Sequence, residues 1–141
     1  MDIDKHIAEI TRLRSEADAL PDDVPQALME KIRLLALCMV YVGRLSSFLD
    51  GEYKRIYAER KRVHAQAYID APRQREAHAE LAVVELRLEE AKAYEAMRRW
   101  RNALDSLTEE IHALKMKMRI DFAEWMVTEN VPVPPRSETQ S

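Results

Sequence analysis

Met97-Arg98-Arg99-Trp100-Arg101-Asn102-Ala103-Leu104-Asp105-Ser106-Leu107-Thr108-Glu109-Glu110-Ile111-His112-Ala113-Leu114-Lys115-Met116-Lys117-Met118 carries the strongest structural signal in the chain. Apart from Met116, its large apolar residues are Met97, Trp100, Leu104, Leu107, Ile111, Leu114 and Met118. They are separated alternately by three and four positions, the a/d seam of a heptad pattern. Such a seam keeps one narrow face of a helix against a partner helix and favours a left-handed coiled-coil contact. Phe122 and Trp125 extend it by about a turn. Neither Gly nor Pro interrupts the chain between Arg73 and Thr128, so the pattern predicts one helix over residues 73–128.

Upstream, Asp70-Ala71-Pro72 is a firm break, because proline disfavours helix at the residue before it and Asp70 is suited to cap the next helix. The helix before the break is predicted over residues 24–70, with Asp23 as N-cap and Pro25 in its first turn. Leu28, Ile32, Leu35, Met39, Val42, Leu45 and Leu49 form its stripe, and Leu34, Leu37, Val40, Tyr41 and Phe48 widen it. A wide stripe predicts contact with more than one neighbour. Asp50-Gly51 is the weak point, but the apolar period resumes at Tyr53, Ile56, Tyr57 and Val63 in nearly the same phase. A continuous or gently kinked helix is expected there. A first helix over residues 3–20 is marked by Ile3, Ile7, Ile10, Leu13, Ala17 and Leu20 on one face. Pro21-Asp22-Asp23-Val24-Pro25 ends it.

The predicted fold class is therefore all-α: a long antiparallel helical hairpin, coiled-coil-like, with a shorter N-terminal helix packed at its base. One helical domain is expected over residues 1–129. The segment 130–141, with Val131-Pro132-Val133-Pro134-Pro135, is expected to be a disordered tail. A tight turn at Asp70 to Arg73 sets Lys54 and Arg55 opposite Glu89 and Glu90. It also sets Leu45 and Phe48 opposite Met97 and Trp100, and Ile32 and Leu35 opposite Leu107 and Ile111.

Composition agrees with exposed helices: 141 residues, only 2 Gly and 6 Pro, with 33% charged and 47% hydrophobic. The net charge of −3 implies no partner by itself. Residues 1–25 are acidic and residues 26–72 mildly basic, which allows internal complementarity. The single Cys38 lies in an apolar run, where a buried inert thiol and a reducing compartment are expected. The acidic start lacks the basic and apolar regions of a secretory signal. Ile32 to Leu49 approaches the length of a membrane span, yet Arg33 and Arg44 lie within it, so a core helix and a cytoplasmic protein without membrane contact are expected.

No Gly-rich phosphate loop, Gly-x-Ser-x-Gly elbow or His-Glu-x-x-His zinc helix is present. No catalytic, cofactor-binding or metal-ligating residue is assigned, and a non-enzyme is expected. His64 and His78 flank the turn and face each other across the hairpin if it is tight; as a pair they read as surface histidines. The wide base predicts self-association or a protein partner through Leu34, Leu37, Tyr41, Phe48, Trp100, Leu107, Ile111, Leu114, Met118 and Trp125. The alternative partner is nucleic acid, through Lys54, Arg55, Tyr57, Arg60, Lys61, Arg62, Arg98, Arg99 and Arg101, since basic side chains among tyrosines can hold a phosphate backbone and stack bases. A pI near 5.8 and interspersed glutamates weigh against that alternative.

Tyr53-x3-Tyr57 and Tyr68 before a Pro-containing turn, with an Ala/Glu/Arg-rich helix after it ending in Leu104-x2-Leu107-x3-Ile111, resemble small all-helical accessory proteins of tailed bacteriophages. The resemblance covers residues 50–120 and carries no catalytic residue. It implies a cytoplasmic accessory protein acting inside an infected bacterium and does not specify the target. The leading expectation is a non-enzymatic interaction and assembly module that binds and modulates a host or phage protein; the alternative is a nucleic-acid-binding accessory factor of recombination or replication.

Overall fold

The computed structural model describes residues 1–125, and the predicted tail at 130–141 and the last turn of the expected third helix lie outside them. Among the described residues four helices succeed one another: α1 (Ile3–Asp18), α2 (Pro25–Asp70), α3 (Arg75–Ala82) and α4 (Val84–Asp121). The fold is all-α, with α2 and α4 packed as a long antiparallel hairpin and α1 laid against the base. At 1.5 Å per residue α2 is about 70 Å long and α1 about 24 Å. The short helix therefore covers only the proximal part of the long one.

α1 starts with Asp2 as N-cap, its carboxylate accepting from the Lys5 N–H at 3.1 Å. It runs antiparallel to α2. His6 meets the Tyr41 ring at 5.8 Å, the Cys38 thiol donates to the Ile10 carbonyl at 3.8 Å, and Lys31 pairs with Asp22 at 2.8 Å. Asp23 does not cap α2. The N-cap is Val24, with no side-chain hydrogen bond, and Pro25 opens the helix without needing a partner for an N–H it lacks. α2 then continues through Asp50-Gly51 without a break. A Cβ at Gly51 would meet nothing within 4 Å, so no close approach demands glycine there.

The core lies where α1, α2 and α4 meet. Leu13 and Ala17 of α1 join Leu28, Leu34, Leu35, Cys38 and Val42 of α2 and Leu107, Ile111, Leu114 and Met118 of α4. The seam predicted from Met97 onward is thus a buried seam. It also reaches further toward the tip than residues 97–118. Ala79, Val83, Leu86, Glu90 and Ala93 continue the same three-and-four alternation, and all are buried or half-buried.

Two expectations about the distal end are corrected. The third helix is not one piece, because it bends at Val83, whose φ of −110° and ψ of 7° lie outside the helical well. The Val83 N–H donates to the Glu80 carbonyl at 3.3 Å, a tightened turn, and the Arg87 N–H returns to the Val83 carbonyl at 2.9 Å. No Gly or Pro announces this bend. It keeps both Ala79 and Val83, each fully buried, against the tip of α2. The turn is also not tight. Asp70 does not cap the next helix; α3 begins only after Gln74, a non-glycine residue in the left-handed region at φ 52°. The longer turn and the bend shift the register near Arg60 by about two helical turns, from Val83 to Glu90. Glu90 consequently pairs with Arg60. Lys54 pairs instead with Asp50 at 2.9 Å, and Arg55 with Glu52, both within α2.

Candidate functional site

The predicted base interface divides in three. Leu34, Leu107, Ile111, Leu114 and Met118 are buried in the chain's own core, because α1 and the hairpin partner already cover them. They are not available to another chain without opening the base. Tyr41, Phe48, Trp100 and Trp125 are half-buried. Leu37 is the one member on the outer face, 41% exposed, next to Val40 at 47%. α2 is also the one helix among the described residues long and apolar enough to cross a membrane. Its best window has a mean hydropathy of 1.6, a property that core helices of soluble proteins share.

The basic cluster is largely neutralised by its own neighbours. Arg62 pairs with Glu59 at 2.7 Å, Arg99 with Glu95 at 3.3 Å, and Arg101 reaches across to Asp50 at 3.0 Å. Lys54, Arg55 and Arg60 have the carboxylate partners named above. Hydrogen bonding from Lys54 holds the Asp50 carboxyl below the usual aspartate range, and Arg62 does the same for Glu59. Lys61 and Arg98 meet rings instead. The Lys61 ammonium sits 4.8 Å from the Tyr57 ring centre, with Arg60 at 5.2 Å, and Arg98 lies 5.9 Å from the Tyr94 ring. Tyr53, Tyr57 and Tyr94 form a small aromatic group, with Tyr53 to Tyr94 at 5.3 Å and Tyr53 to Tyr57 at 6.3 Å.

Beside this group lies a feature that sequence reading missed. Leu81, Val84 and Leu88 are 75%, 45% and 56% exposed, and Ala77 and Ala91 before and after them are exposed too. Their spacing of four, three, four and three is a second heptad stripe. It lies on the face of α3 and α4 opposite the buried one. At its proximal end a shallow groove of about 330 Å³ is lined by Tyr53, Arg87, Glu90, Ala91 and Tyr94. The signal is present in the sequence, where Leu81, Val84 and Leu88 belong with Ile56, Val63 and Leu86 to a modest, Ala-padded apolar content of the tip. Only the phase of Ala79, Val83 and Leu86 shows which face α2 occupies.

At the tip, the polar contacts of His64 are with carboxylates. The side chain turns toward α3, where its Nε2 lies 3.8 Å from Glu76 Oε1 and 3.3 Å from Glu80 Oε1. Arg87 donates to both oxygens of the same Glu80 carboxylate, at 3.2 Å to Oε1 and 3.1 Å to Oε2. Cys38 is free and buried under α1, and burial pushes its thiol above the usual range, so it has the character of an inert core group. No protein-family model, curated protein or solved structure matches this chain.

Proposed function

We propose that this protein is a non-enzymatic helical interaction and assembly module, and that its distal arm docks a helix of another chain, first of all a second copy of itself. The observation that carries this reading is the unpartnered heptad stripe of Leu81, Val84 and Leu88. A polar stripe would leave a two-helix arm soluble, whereas this one presents large apolar side chains at the repeat that knobs-into-holes packing uses. The tyrosine-lined groove beside it adds rigid rings of the kind that anchor protein interfaces. The resemblance to phage accessory proteins fits such a module in a bacterial cytoplasm, acting on a host or phage protein.

The test is the molar mass of the intact protein by light scattering across a wide concentration range. Self-association is expected to raise the mass above one chain, and Leu81→Glu with Leu88→Glu is expected to return it to a monomer while helix content is unchanged. A wild-type monomer at every concentration would overturn self-association. An oligomer indifferent to the two substitutions would move the interface elsewhere.

A second reading, a nucleic-acid accessory factor, rests on Lys61 over Tyr57 and Arg98 beside Tyr94. Internal ion pairing of the other nominated bases favours the first reading. Anisotropy of labelled single-stranded DNA at low salt separates the two. This reading expects binding that weakens steeply with salt and is lost in Lys61→Glu/Arg98→Glu. Absence of binding at low salt would sink it.

A further inference from the structure

We infer that His64, Glu76 and Glu80 form a binding site for a divalent transition-metal ion of the zinc class, bridging α2 and α3 at the hairpin tip. The geometry comes first. One nitrogen and two carboxylate oxygens lie within 4.8 Å of one another. Ligands about 2.0–2.1 Å from a tetrahedral zinc ion are themselves about 3.3 Å apart. The Nε2 of His64 lies 3.3 Å from Glu80 Oε1 and 3.8 Å from Glu76 Oε1, so small side-chain rotations would close the set.

The backbone explains why these three residues converge. Glu76 and Glu80 are one turn apart on α3, so their side chains rise from the same face. α3 exists as a separate eight-residue helix because Gln74 starts it late and Val83 ends it early. That placement sets its acidic face against His64 of α2, which is only 27% exposed on its side chain. Like charges at this spacing repel, and the repulsion is relieved when a dication sits between them. Arg87 donates to both oxygens of Glu80, at 3.2 Å to the Oε1 that faces His64 and 3.1 Å to Oε2, so it orients the carboxylate and also competes with an ion for it.

The donor set selects the ion class. An imidazole with two carboxylates and room for water suits zinc, cobalt or nickel, whereas magnesium and calcium prefer oxygen ligands alone. The surrounding charges set the strength. Arg60 and Lys61 lie on the same side of the tip, but Arg60 is engaged by Glu90 and Lys61 leans on Tyr57. The direct competitor for the Glu80 carboxylate is Arg87, which is bonded to it, so binding is expected to be moderate.

Calorimetric titration of the full-length, chelator-treated protein with Zn²⁺ alone tests the assignment. One equivalent is expected to bind, with no heat from Mg²⁺ under the same conditions. His64→Ala is expected to abolish binding, and Glu76→Gln and Glu80→Gln to weaken it by about tenfold or more. Glu76 is well exposed, so its variant folds whatever the tip does, and circular dichroism of each variant in chelator controls for folding. His78→Ala and His112→Ala are expected to bind as wild type. Zn²⁺ binding that survives His64→Ala, or that disappears with His78→Ala or His112→Ala, would overturn the site, as would absence of a saturable equivalent in the wild type.

Discussion

Leu35→Ala is expected to destabilise the protein by about 2–5 kcal/mol, the range for emptying a leucine-sized space in a packed core. In a helical domain of this size that corresponds to a fall in melting temperature on the order of 10 °C. Leu35 is fully buried where α1, α2 and α4 meet, so three elements lose contacts at once. Leu37, two positions on, points the other way and is 41% exposed. Leu37→Ala is expected to change stability by less than about 0.5 kcal/mol. Chemical denaturation of both variants monitored by circular dichroism gives the comparison. A larger loss for Leu37 than for Leu35 would invalidate the assignment of the two faces of α2.

Glu90→Ala is expected to cost about 2 kcal/mol or more, while replacing Arg60 and Glu90 together by leucine is expected to leave stability within about 1 kcal/mol of wild type or above it. The asymmetry arises from burial. The two side chains are only 15% and 16% exposed and meet across the hairpin at a seam position that is apolar elsewhere along α4. Removing one partner strands the other charge in a poorly solvated place. Replacing both restores an apolar layer between Val83 and Met97, which are themselves buried. The pair also fixes register, because a charge in the seam is satisfied at one alignment of the arms only. A double variant as unstable as Glu90→Ala would show that the pair contributes net stability and not alignment.

The proposed functions meet at the same end of the molecule. The stripe of Leu81, Val84 and Leu88 begins on α3, the helix that the His64, Glu76 and Glu80 cluster joins to α2. An ion bound there would fix the angle of α3 and with it the straightness of the stripe across the bend at Val83. The two can be separated experimentally, since charge placed at Leu81 and Leu88 leaves the three ligands untouched.

Much of the architecture was legible in residue spacing. The alternation from Met97 to Met118 defined a helix face, Pro72 ended α2, and the apolar stripe from Leu28 to Leu49 was wide enough to demand two neighbours. These signals are local and survive without knowing what lies opposite. The caps were less legible. Asp23 and Asp70 were suitable by type, yet Val24 and Gln74 hold the positions, because the exact start of a helix depends on what its first turn must reach.

Residue spacing alone dictates that this chain makes long amphipathic helices and that the last of them carries a heptad face. Which of two apolar faces near the tip is buried depends on the assembled hairpin. Ala79, Val83 and Leu86 on one side and Leu81, Val84 and Leu88 on the other have the same periodicity, and periodicity cannot choose between them. The choice comes from the register of the arms, set by a turn that reaches Gln74 and a bend at Val83. That register brings Arg60 to Glu90, about two helical turns from the alignment a tight turn predicts, and the late start of α3 sets Glu76 and Glu80 beside His64; no local pattern encodes either pairing.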